Sequence, residues 1–330
     1  MKKRGLVAYV ALFMFGILMT GCGGNSGSKS NKGAPEITSM KCEFVPDGKE
    51  AVIYGKNFNG AEVTFPGELP AVVNKEKSNE TMLVVIVPEG ASSGKINVKT
   101  AQGEAKSEFF FRDNRNTIIN FDDRLATWGG YAPFDARGEK IMGIEENETT
   151  VTSLPALLPD PCSGNYGFLF GKYASPWSMP NKLYIQYVAN EDEGGRGPIS
   201  IAGTFEDYDL EDLVLKFEVY IPQEAAYKGV RTEILFGPFD SPDKHGRDVS
   251  PICFWEPYLK EGSFYTDGWE TITIPLTQFT HGITSDEEVS KNPLNLKTAT
   301  NFSFFQFGAP EDNPLIYLCL DNFRVVPASE

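Results

Sequence analysis

Short runs of alternating apolar and polar residues follow one another along this chain, and glycine, proline, asparagine or aspartate separates them. A period of two is typical of strands in antiparallel sheets, and no long segment has the period of an amphipathic helix. The pattern therefore predicts an all-β protein. Its runs fall into two groups, one before and one after residue 113.

The first group predicts a small β-sandwich over residues 35–112. Turn pairs such as Asp47-Gly48 and Asn59-Gly60 separate its runs at the close spacing typical of that fold. The predicted strands are 51–54, 62–65, 82–87, 95–100 and 108–111.

The second group is longer and richer in aromatic residues, and it predicts a larger jelly-roll-type sandwich over residues 113–330. Long loops connect its strands, and residues 113–116 form the junction with the first group. The predicted strands are 117–121, 168–173, 183–187, 213–220, 232–236, 252–255, 270–275, 301–307 and 316–326.

The amino terminus has a different pattern. Basic residues at 2–4 precede an apolar run at 6–19 that is too short to span a bilayer as an ordinary helix. The run leads to Met19-Thr20-Gly21-Cys22, which resembles the lipobox of bacterial lipoproteins. Residues 1–21 are therefore expected to be a signal peptide, with Cys22 carrying acyl chains. A secretory signal that ends at a coincidental cysteine is the alternative.

Composition narrows the classes of function. Residues 22–34, rich in glycine and serine, are expected to be a flexible tether. The whole chain has 30 basic and 45 acidic residues, which gives a net charge of −15. This balance argues against a nucleic-acid binder, because phosphates require a basic surface, and against attachment to anionic lipid by charge alone. It favours a neutral ligand over a polyanionic one.

The cysteines beyond Cys22 give no metal or redox motif. There is no C-x-x-C pair, which disfavours a zinc site or a thioredoxin-like centre. Four cysteines allow three pairings, between which the sequence does not choose. Buried free thiols are the preferred interpretation, because three of the four lie in apolar surroundings. These cysteines are Cys42, Cys162, Cys253 and Cys319.

Motifs of the first group occur in the order typical of IPT/TIG immunoglobulin-like domains, and residues 34–112 therefore resemble that family. The motifs are Pro35-Glu36-Ile37, Ile53-Tyr54-Gly55-Lys56-Asn57-Phe58, Val63-Thr64-Phe65, Val85-Ile86-Val87-Pro88 and Gly103 before the last strand. The resemblance implies a spacer module, and no site is expected in it.

Two segments of the second group, 267–276 and 316–325, are similar to strands of carbohydrate-binding modules. The whole layout resembles the surface glycan-binding proteins of the starch-utilisation-system type. This resemblance implies a non-catalytic lipoprotein of the outer membrane that faces the cell exterior. Its ligand would be a plant β-glucan such as xyloglucan or mixed-linkage glucan, and its partners a SusD-like protein and a TonB-dependent transporter. Residues 23–25 lack the acidic residues that often follow the lipidated cysteine in surface-directed relatives.

A glycan site needs aromatic platforms, because a sugar ring presents an apolar face of C–H groups. Trp255 and Tyr258 form the best candidate pair, where a strand runs into a proline-bounded loop, and glycan-binding relatives carry aromatics at this edge. Tyr227 lies in a polar inter-strand loop. If Cys253 and Trp255 share one face of their strand, Phe254 lies on the other. Burial in the core is the alternative for each ring.

Three further aromatic residues are candidate platforms. Trp177 lies in a loop, and Trp128 and Tyr131 flank two glycines that leave room for a ligand. Trp269 opens an alternating strand and is expected to be structural. Hydroxyl-binding partners are more weakly indicated, and they are Asn181, Gln186, Glu256 and Gln306.

Carboxylates near the start and end of the second group could meet if its first and last strands are neighbours. Asp122 and Asp321 would then suit a structural calcium ion, with Asn120 and Asp123 nearby, although capping and surface roles explain these residues as well. No other cofactor is expected.

Two other classes of function stay open. A secreted glycoside hydrolase needs two carboxyl groups at a defined separation, and most acidic pairs here lie in polar loops. Residues 90–94 match the G-x-S-x-G string of esterases, but a turn before a strand is not a nucleophile elbow, so the match is accidental. A protein-binding adhesin or assembly factor is the other alternative. An enzyme is not expected.

Overall fold

The computed structural model describes residues 33–129, 158–172, 183–189, 200–237, 251–281, 293–307 and 315–329. These residues form eighteen strands and a few 3₁₀ turns, and they contain no α-helix. The predicted all-β class is therefore confirmed. In the described part of the chain, no helix is long and apolar enough to cross a membrane.

The first eight strands form two antiparallel four-stranded sheets, ordered β1-β2-β6-β5 and β4-β3-β7-β8. Apolar residues of both sheets, among them Ile53, Phe65, Val85 and Val98, are buried together in one core. We call this part the small sandwich. Its strands are β1 (Glu36–Met40), β2 (Glu50–Lys56), β3 (Glu62–Phe65), β4 (Leu69–Pro70), β5 (Val72–Val73), β6 (Met82–Ile86), β7 (Asn97–Thr100) and β8 (Gly103–Lys106).

The other ten strands form the large sandwich. They are β9 (Thr117–Ile119), β10 (Trp128–Gly129), β11 (Gly167–Lys172), β12 (Tyr184–Tyr187), β13 (Leu213–Tyr220), β14 (Arg231–Gly237), β15 (Ile252–Trp255), β16 (Glu270–Pro275), β17 (Asn301–Phe307) and β18 (Leu315–Pro327). The 3₁₀ turns are Gly203–Phe205, Leu210–Asp212, Gln223–Ala225, Pro257–Leu259 and Leu276–Gln278.

Two antiparallel five-stranded sheets build the large sandwich. The inner sheet, named for its contact with the small sandwich, has the order β11-β18-β13-β16, and β9 pairs with β18. The outer sheet has the order β10-β12-β17-β14-β15. Aromatic and aliphatic residues from both sheets fill the space between them.

Most predicted strands lie where the alternation placed them, and several bounds agree to the residue. The predicted strand at 108–111 is wrong, because the last ladder strand of the small sandwich is β8 (Gly103–Lys106). Phe109 and Phe111 are buried in the core, but only an isolated bridge between Phe111 and Gly94 joins this segment to a sheet. The apolar residues at 108–111 therefore belong to a buried segment that is not paired as a strand of a sheet.

The turn at residues 53–58, which carries part of the IPT/TIG resemblance, is built around a close approach. A Cβ atom on Gly55 would lie 1.9 Å from the Glu36 carbonyl oxygen and 2.3 Å from the Phe58 ring. Asn57 has a φ of 61°, a left-handed conformation that asparagine tolerates better than most residues. Residue 55 is therefore a glycine because a Cβ does not fit there, and the asparagine at 57 suits the left-handed backbone.

The small sandwich contacts the edge strand β16 of the inner sheet through the segment that follows β1. The Thr271 N–H donates to the Lys41 carbonyl (2.8 Å), and the Glu43 N–H donates to Thr271 Oγ1 (2.7 Å). Lys41 Nζ lies 3.1 Å from Asp267 Oδ2. These bonds position the Glu43 side chain over the inner sheet.

Four charged side chains meet there, away from water. Glu43 accepts from Lys216 Nζ (2.6 Å) and from Arg324 Nη2 (2.8 Å). Arg324 also binds both carboxylate oxygens of Glu218, at 2.8 and 3.1 Å. All four are buried, and Arg324 and Glu218 are 0% exposed. We call this group the charge cluster; its two cations balance its two carboxylates.

The charge cluster shows which surface of the large sandwich is covered. Burial raises the pKa of the Glu218 carboxyl, and the neighbouring Arg324 opposes that rise. The outward face of the inner sheet is therefore a contact surface for the small sandwich. The outward face of the outer sheet remains as the other broad surface of the large sandwich.

Candidate functional site

The outward face of the outer sheet carries a row of side chains across four neighbouring strands. Tyr184 is opposite Phe305, Phe305 is opposite Glu233, and Glu233 is opposite Phe254. Their strand neighbours Ile185, Phe304, Ile234 and Cys253 belong to the core, so the row lies on the opposite face. With strands about 4.8 Å apart, the row is about 14 Å long.

Tyr184 and Phe305 form the aromatic end of this row. Their ring centroids are 5.0 Å apart and the rings are within 14° of parallel. Both residues are half-buried, so each keeps some surface open to solvent. Burial raises the pKa of the Tyr184 hydroxyl, which therefore stays protonated and can donate a hydrogen bond at neutral pH.

The other end of the row combines charge with aromatic surface. Arg231 Nη2 lies 2.9 Å from Glu233 Oε1, and its guanidinium lies 4.1 Å from the centre of the Phe254 ring. The Phe254 ring is in turn 4.5 Å from the His281 ring. Arg231 and Glu233 neutralise one another, so this end offers polar groups without net charge.

A second outward row runs beside the first. The backbone of Trp128 pairs with Gln186, which is opposite Ser303, which is opposite Leu235. Gln186, Ser303 and Leu235 are all buried. The half-buried surface of this face is therefore concentrated in the row from Tyr184 to Phe254, which we call the aromatic row.

The aromatic row has the chemistry of a sugar-binding surface. Tyr184, Phe305 and Phe254 supply apolar ring surface for the C–H face of a sugar, and the tyrosine hydroxyl and the half-buried Arg231 supply hydrogen-bonding groups for its hydroxyls. Glu233 is 1% exposed, so its part is to hold Arg231 in place. The described residues contain no group of three or more histidine, cysteine, aspartate or glutamate side chains that could hold a metal ion.

Trp255 lies on the other face of β15 from Phe254. It is 8% exposed and packs in the core, with its ring 5.6 Å from Phe217 and stacked 5.6 Å from Tyr227. Trp255 is therefore a core residue and not an exposed platform. The physical reason is size, because the larger apolar ring gains more from burial between the sheets than Phe254 would.

Tyr227 is fully buried, which corrects its expected place on a polar surface loop. Its hydroxyl donates to Gln306 Oε1 (2.7 Å) and lies 3.0 Å from Thr232 Oγ1. Gln306, an expected hydroxyl-binding partner, is likewise buried in this internal network rather than on the outward face. Tyr227, Thr232 and Gln306 thus form hydrogen bonds with one another inside the sandwich.

Tyr258 is half-buried at the margin of the same group. Its ring lies 5.7 Å from Tyr227, and its hydroxyl donates to Glu256 Oε1 (3.1 Å). The structure thus brings Trp255, Tyr227 and Tyr258 together, but as a core cluster with one accessible member. Ligand contact by Tyr258 stays a prediction.

The other expected site residues have mixed outcomes. Trp177, Tyr131, Asn181 and Cys22 lie outside the described residues. For Trp128 only the backbone is described, and it pairs with Gln186.

Trp269 is confirmed as structural. Its Nε1 donates to the Asp160 carbonyl (2.8 Å), and its ring packs 5.4 Å from Tyr166.

The proposed calcium site gains no support. Asp321 is 0% exposed, and its oxygens accept from Ser163 Oγ (3.2 Å), Cys162 Sγ (3.5 Å) and the Asn322 N–H (2.7 Å). Burial raises the pKa of its carboxyl well above the usual range. Asp122 accepts from the Asn165 N–H (2.8 Å).

Sequence reasoning missed Tyr184, Phe305, Arg231 and Glu233, and it named Phe254 only as lying on the other face of its strand from Trp255. The alternation at 184–187 did indicate that Tyr184 and Gln186 lie on the same face of their strand. At 302–305 the run Phe-Ser-Phe-Phe places Phe302 and Phe304 on one face and Phe305 on the other. Those facts do not say which face is covered; only the packing of the sheets does.

Comparisons with known proteins identify a family for the larger part of the chain. Residues 111–327, more than half of the chain, match the model of the surface glycan-binding protein B xyloglucan-binding domain. No curated protein matches the chain.

Several solved structures are similar in fold. The crystal structure of the surface glycan-binding protein PbSGBP-B from Prevotella bryantii has a TM-score of 0.59 at 20% identity, over 89% of this chain and 76% of that one. An SGBP-B from a complex xyloglucan utilisation locus in Bacteroides uniformis has a TM-score of 0.54 at 17% identity, over 89% and 73%. A crystal structure with a xylogluco-oligosaccharide has a TM-score of 0.56 at 18% identity, over 89% of this chain and 58% of that one. At these identities the likenesses show a shared fold.

Proposed function

This chain belongs to the surface glycan-binding protein B family, whose members bind glycans without catalysis, and we propose that it captures a neutral plant β-glucan at the cell surface. Xyloglucan and mixed-linkage glucan are the ligands proposed. The aromatic row of the outer sheet is proposed as the binding surface, in place of the core rings Trp255 and Tyr227. Tyr258, Trp128, Tyr131 and Trp177 remain proposed contributors.

The observation that carries this proposal is the stacked pair Tyr184 and Phe305, half-buried on the surface that the small sandwich does not cover. A neutral sugar can stack on such rings, and each ring loses little entropy because its neighbours already hold it. The row of about 14 Å is long enough to contact more than one sugar ring, as a polymer ligand requires.

Charge supports the choice of a neutral polysaccharide. The chain has a net charge of −15, which repels a polyanion at long range. Arg231, which lies beside the aromatic row, is engaged with Glu233 at 2.9 Å. Among the described residues of the row and this pair, no surplus positive charge is left for a uronic acid or a sulfate.

The proposal includes an anchor and partners. Acyl chains on Cys22, after removal of residues 1–21, would hold the protein in the outer membrane, and residues 22–34 would let the sandwiches reach away from it. A SusD-like protein and a TonB-dependent transporter would then receive the captured glycan. Replacing Cys22 by alanine should release the protein into the soluble fraction and abolish labelling with a palmitate analogue.

Affinity electrophoresis on a panel of polysaccharides tests the ligand. Retardation by xyloglucan or mixed-linkage glucan, with none by polygalacturonate, is the expected result. Retardation only by polyanions, or by no glucan, would overturn the proposal. The same mixtures should release no reducing sugar, because reducing ends would show hydrolysis instead of binding.

A further inference from the structure

Two cysteines from different sandwiches lie side by side. Cys42 follows β1 of the small sandwich, and Cys162 lies about 120 residues further along, just before β11 of the large sandwich. Cys162 nevertheless packs in the core cluster of the small sandwich, together with Cys42 and Phe44. Both cysteines are buried thiols in this structure, as are Cys253 and Cys319.

The backbone around each thiol is held in place. Cys42 lies between Lys41 and Glu43, which both bond to Thr271 across the contact between the sandwiches. The Cys162 thiol donates to Asp321 Oδ2 (3.5 Å), and the adjacent Ser163 binds the same oxygen (3.2 Å). The Cys42 thiol, buried in the same cluster, is also among the groups that raise the pKa of the Cys162 thiol.

From this juxtaposition we propose that Cys42 and Cys162 form a disulfide that covalently joins the two sandwiches. Surface and periplasmic proteins meet disulfide oxidants that cytoplasmic proteins do not, and a surface location is part of the function proposed above. Glycan binding itself plays no part in the inference.

The bond forms by exchange with a disulfide oxidant, for which glutathione disulfide is the model. One cysteine thiolate attacks the glutathione S–S bond, which releases the first glutathione thiolate and leaves a mixed disulfide. The second cysteine thiolate attacks the protein sulfur of that mixed disulfide and releases the second glutathione. Two electrons and two protons thus pass from the cysteines to two glutathione molecules.

Folding is the stage at which this exchange is fastest. Burial raises the pKa of the Cys162 thiol well above its usual range, so the thiolate is scarce once the contact has closed. Cys162 still lines a cavity of about 580 Å³, shared with Phe44, Arg112 and Ser163, that gives a small oxidant a route to the contact.

Peptide mapping of the full chain tests the proposal. The protein is refolded with glutathione disulfide, and its remaining thiols are blocked with iodoacetamide under denaturing conditions. The peptides of a non-reduced digest are then analysed by mass spectrometry. We expect a disulfide-linked pair of peptides that contain Cys42 and Cys162, with a mass two hydrogens below the sum of the two free-thiol peptides. Cys253 and Cys319 should both be blocked by iodoacetamide. Reduction should lower the midpoint of thermal unfolding by on the order of 10 °C.

Matched variants give the controls. Cys253→Ala should keep the linked pair, and Cys162→Ala should abolish it and leave Cys42 blocked. Blocking of both Cys42 and Cys162 in the oxidised wild type, or a link from either one to Cys253 or Cys319, would overturn the proposal. Because the wild type gives this readout, a variant that fails to fold does not affect the conclusion.

Discussion

Replacing Arg324 by methionine should destabilise the contact between the two sandwiches more than any surface substitution. Methionine has a similar length and no charge, so it removes the guanidinium without leaving a large cavity. In the wild type, Arg324 binds Glu218 at 2.8 and 3.1 Å, Glu43 at 2.8 Å and the Asn322 carbonyl at 2.8 Å. The variant leaves the two buried carboxylates with Lys216 as the remaining cation of the charge cluster, and Glu218 keeps its hydrogen bond from Thr271 Oγ1 (2.8 Å).

The size of the effect follows from burial. Arg324 and Glu218 are 0% exposed and Glu43 is 4% exposed, so water cannot replace the lost partner. Removing one member of such a buried group typically costs about 3–5 kcal/mol of the free energy of unfolding. The surface pair of Lys56 and Glu36, with side chains 62% and 54% exposed, is the matched control. Lys56→Met should cost less than about 1 kcal/mol.

Urea unfolding, followed by tryptophan fluorescence at several pH values, measures the effect. Loss of the Arg324 charge raises the pKa of the buried Glu218 further above its unfolded value, so the folded variant binds a proton that the unfolded chain releases. The variant should therefore lose more stability as the pH rises above about 4.5, and lose less in acid. A loss below about 1 kcal/mol at pH 7.5, equal to that of Lys56→Met, would refute the account of the charge cluster.

Three further predictions concern single positions. Tyr227→Phe removes the hydroxyl that binds Gln306 and Thr232, and it should lower the free energy of unfolding in urea by about 1–2 kcal/mol. Glycan affinity should be unchanged, and weaker binding by a stably folded variant would make Tyr227 part of the site. Gly55→Ala places a Cβ 1.9 Å from the Glu36 oxygen and should cost about 1–3 kcal/mol in thermal unfolding. Gly60→Ala, whose Cβ meets nothing but whose φ is +70°, should cost about 1–2 kcal/mol and clearly less than Gly55→Ala in the same assay, and equal losses would show that crowding at Gly55 is unimportant. Because burial raises the pKa of Asp321, the contribution of this carboxyl to stability should fall as the pH rises above about 4. Asp321→Asn should remove that contribution, so the stability of the variant relative to the wild type should rise with pH; a difference that does not change with pH would contradict the assignment.

Local pattern was enough to predict most of the strands. Strands β13, β15, β16 and β17 have the bounds that the sequence predicted for them. The shortest strands, β4 and β5, have two residues each and carry no period that could be recognised. Domain boundaries at 35–112 and 113–330 and the IPT/TIG resemblance of the first module stay predictions.

The faces of the strands could not be assigned from the sequence. Lys216 and Glu218 alternate with apolar residues, as on a solvated face, yet both are buried. Lys216 binds Glu43 of the small sandwich, which is 173 residues away in the chain. The same ambiguity applied to β15, where Trp255 rather than Phe254 faces the core. Contacts between residues so far apart decide which face is free, and the alternation of one strand does not contain them.

The most direct test of the central claim is calorimetric titration of the Tyr184→Ala/Phe305→Ala variant with a xyloglucan oligosaccharide. Tyr54→Ala, which removes a tyrosine that is 37% exposed on the small sandwich, is the control. The account predicts a loss of at least about 2 kcal/mol, roughly 30-fold in Kd, for the double variant and wild-type affinity for the control. Wild-type affinity in a folded double variant would contradict the claim that the aromatic row binds the glycan.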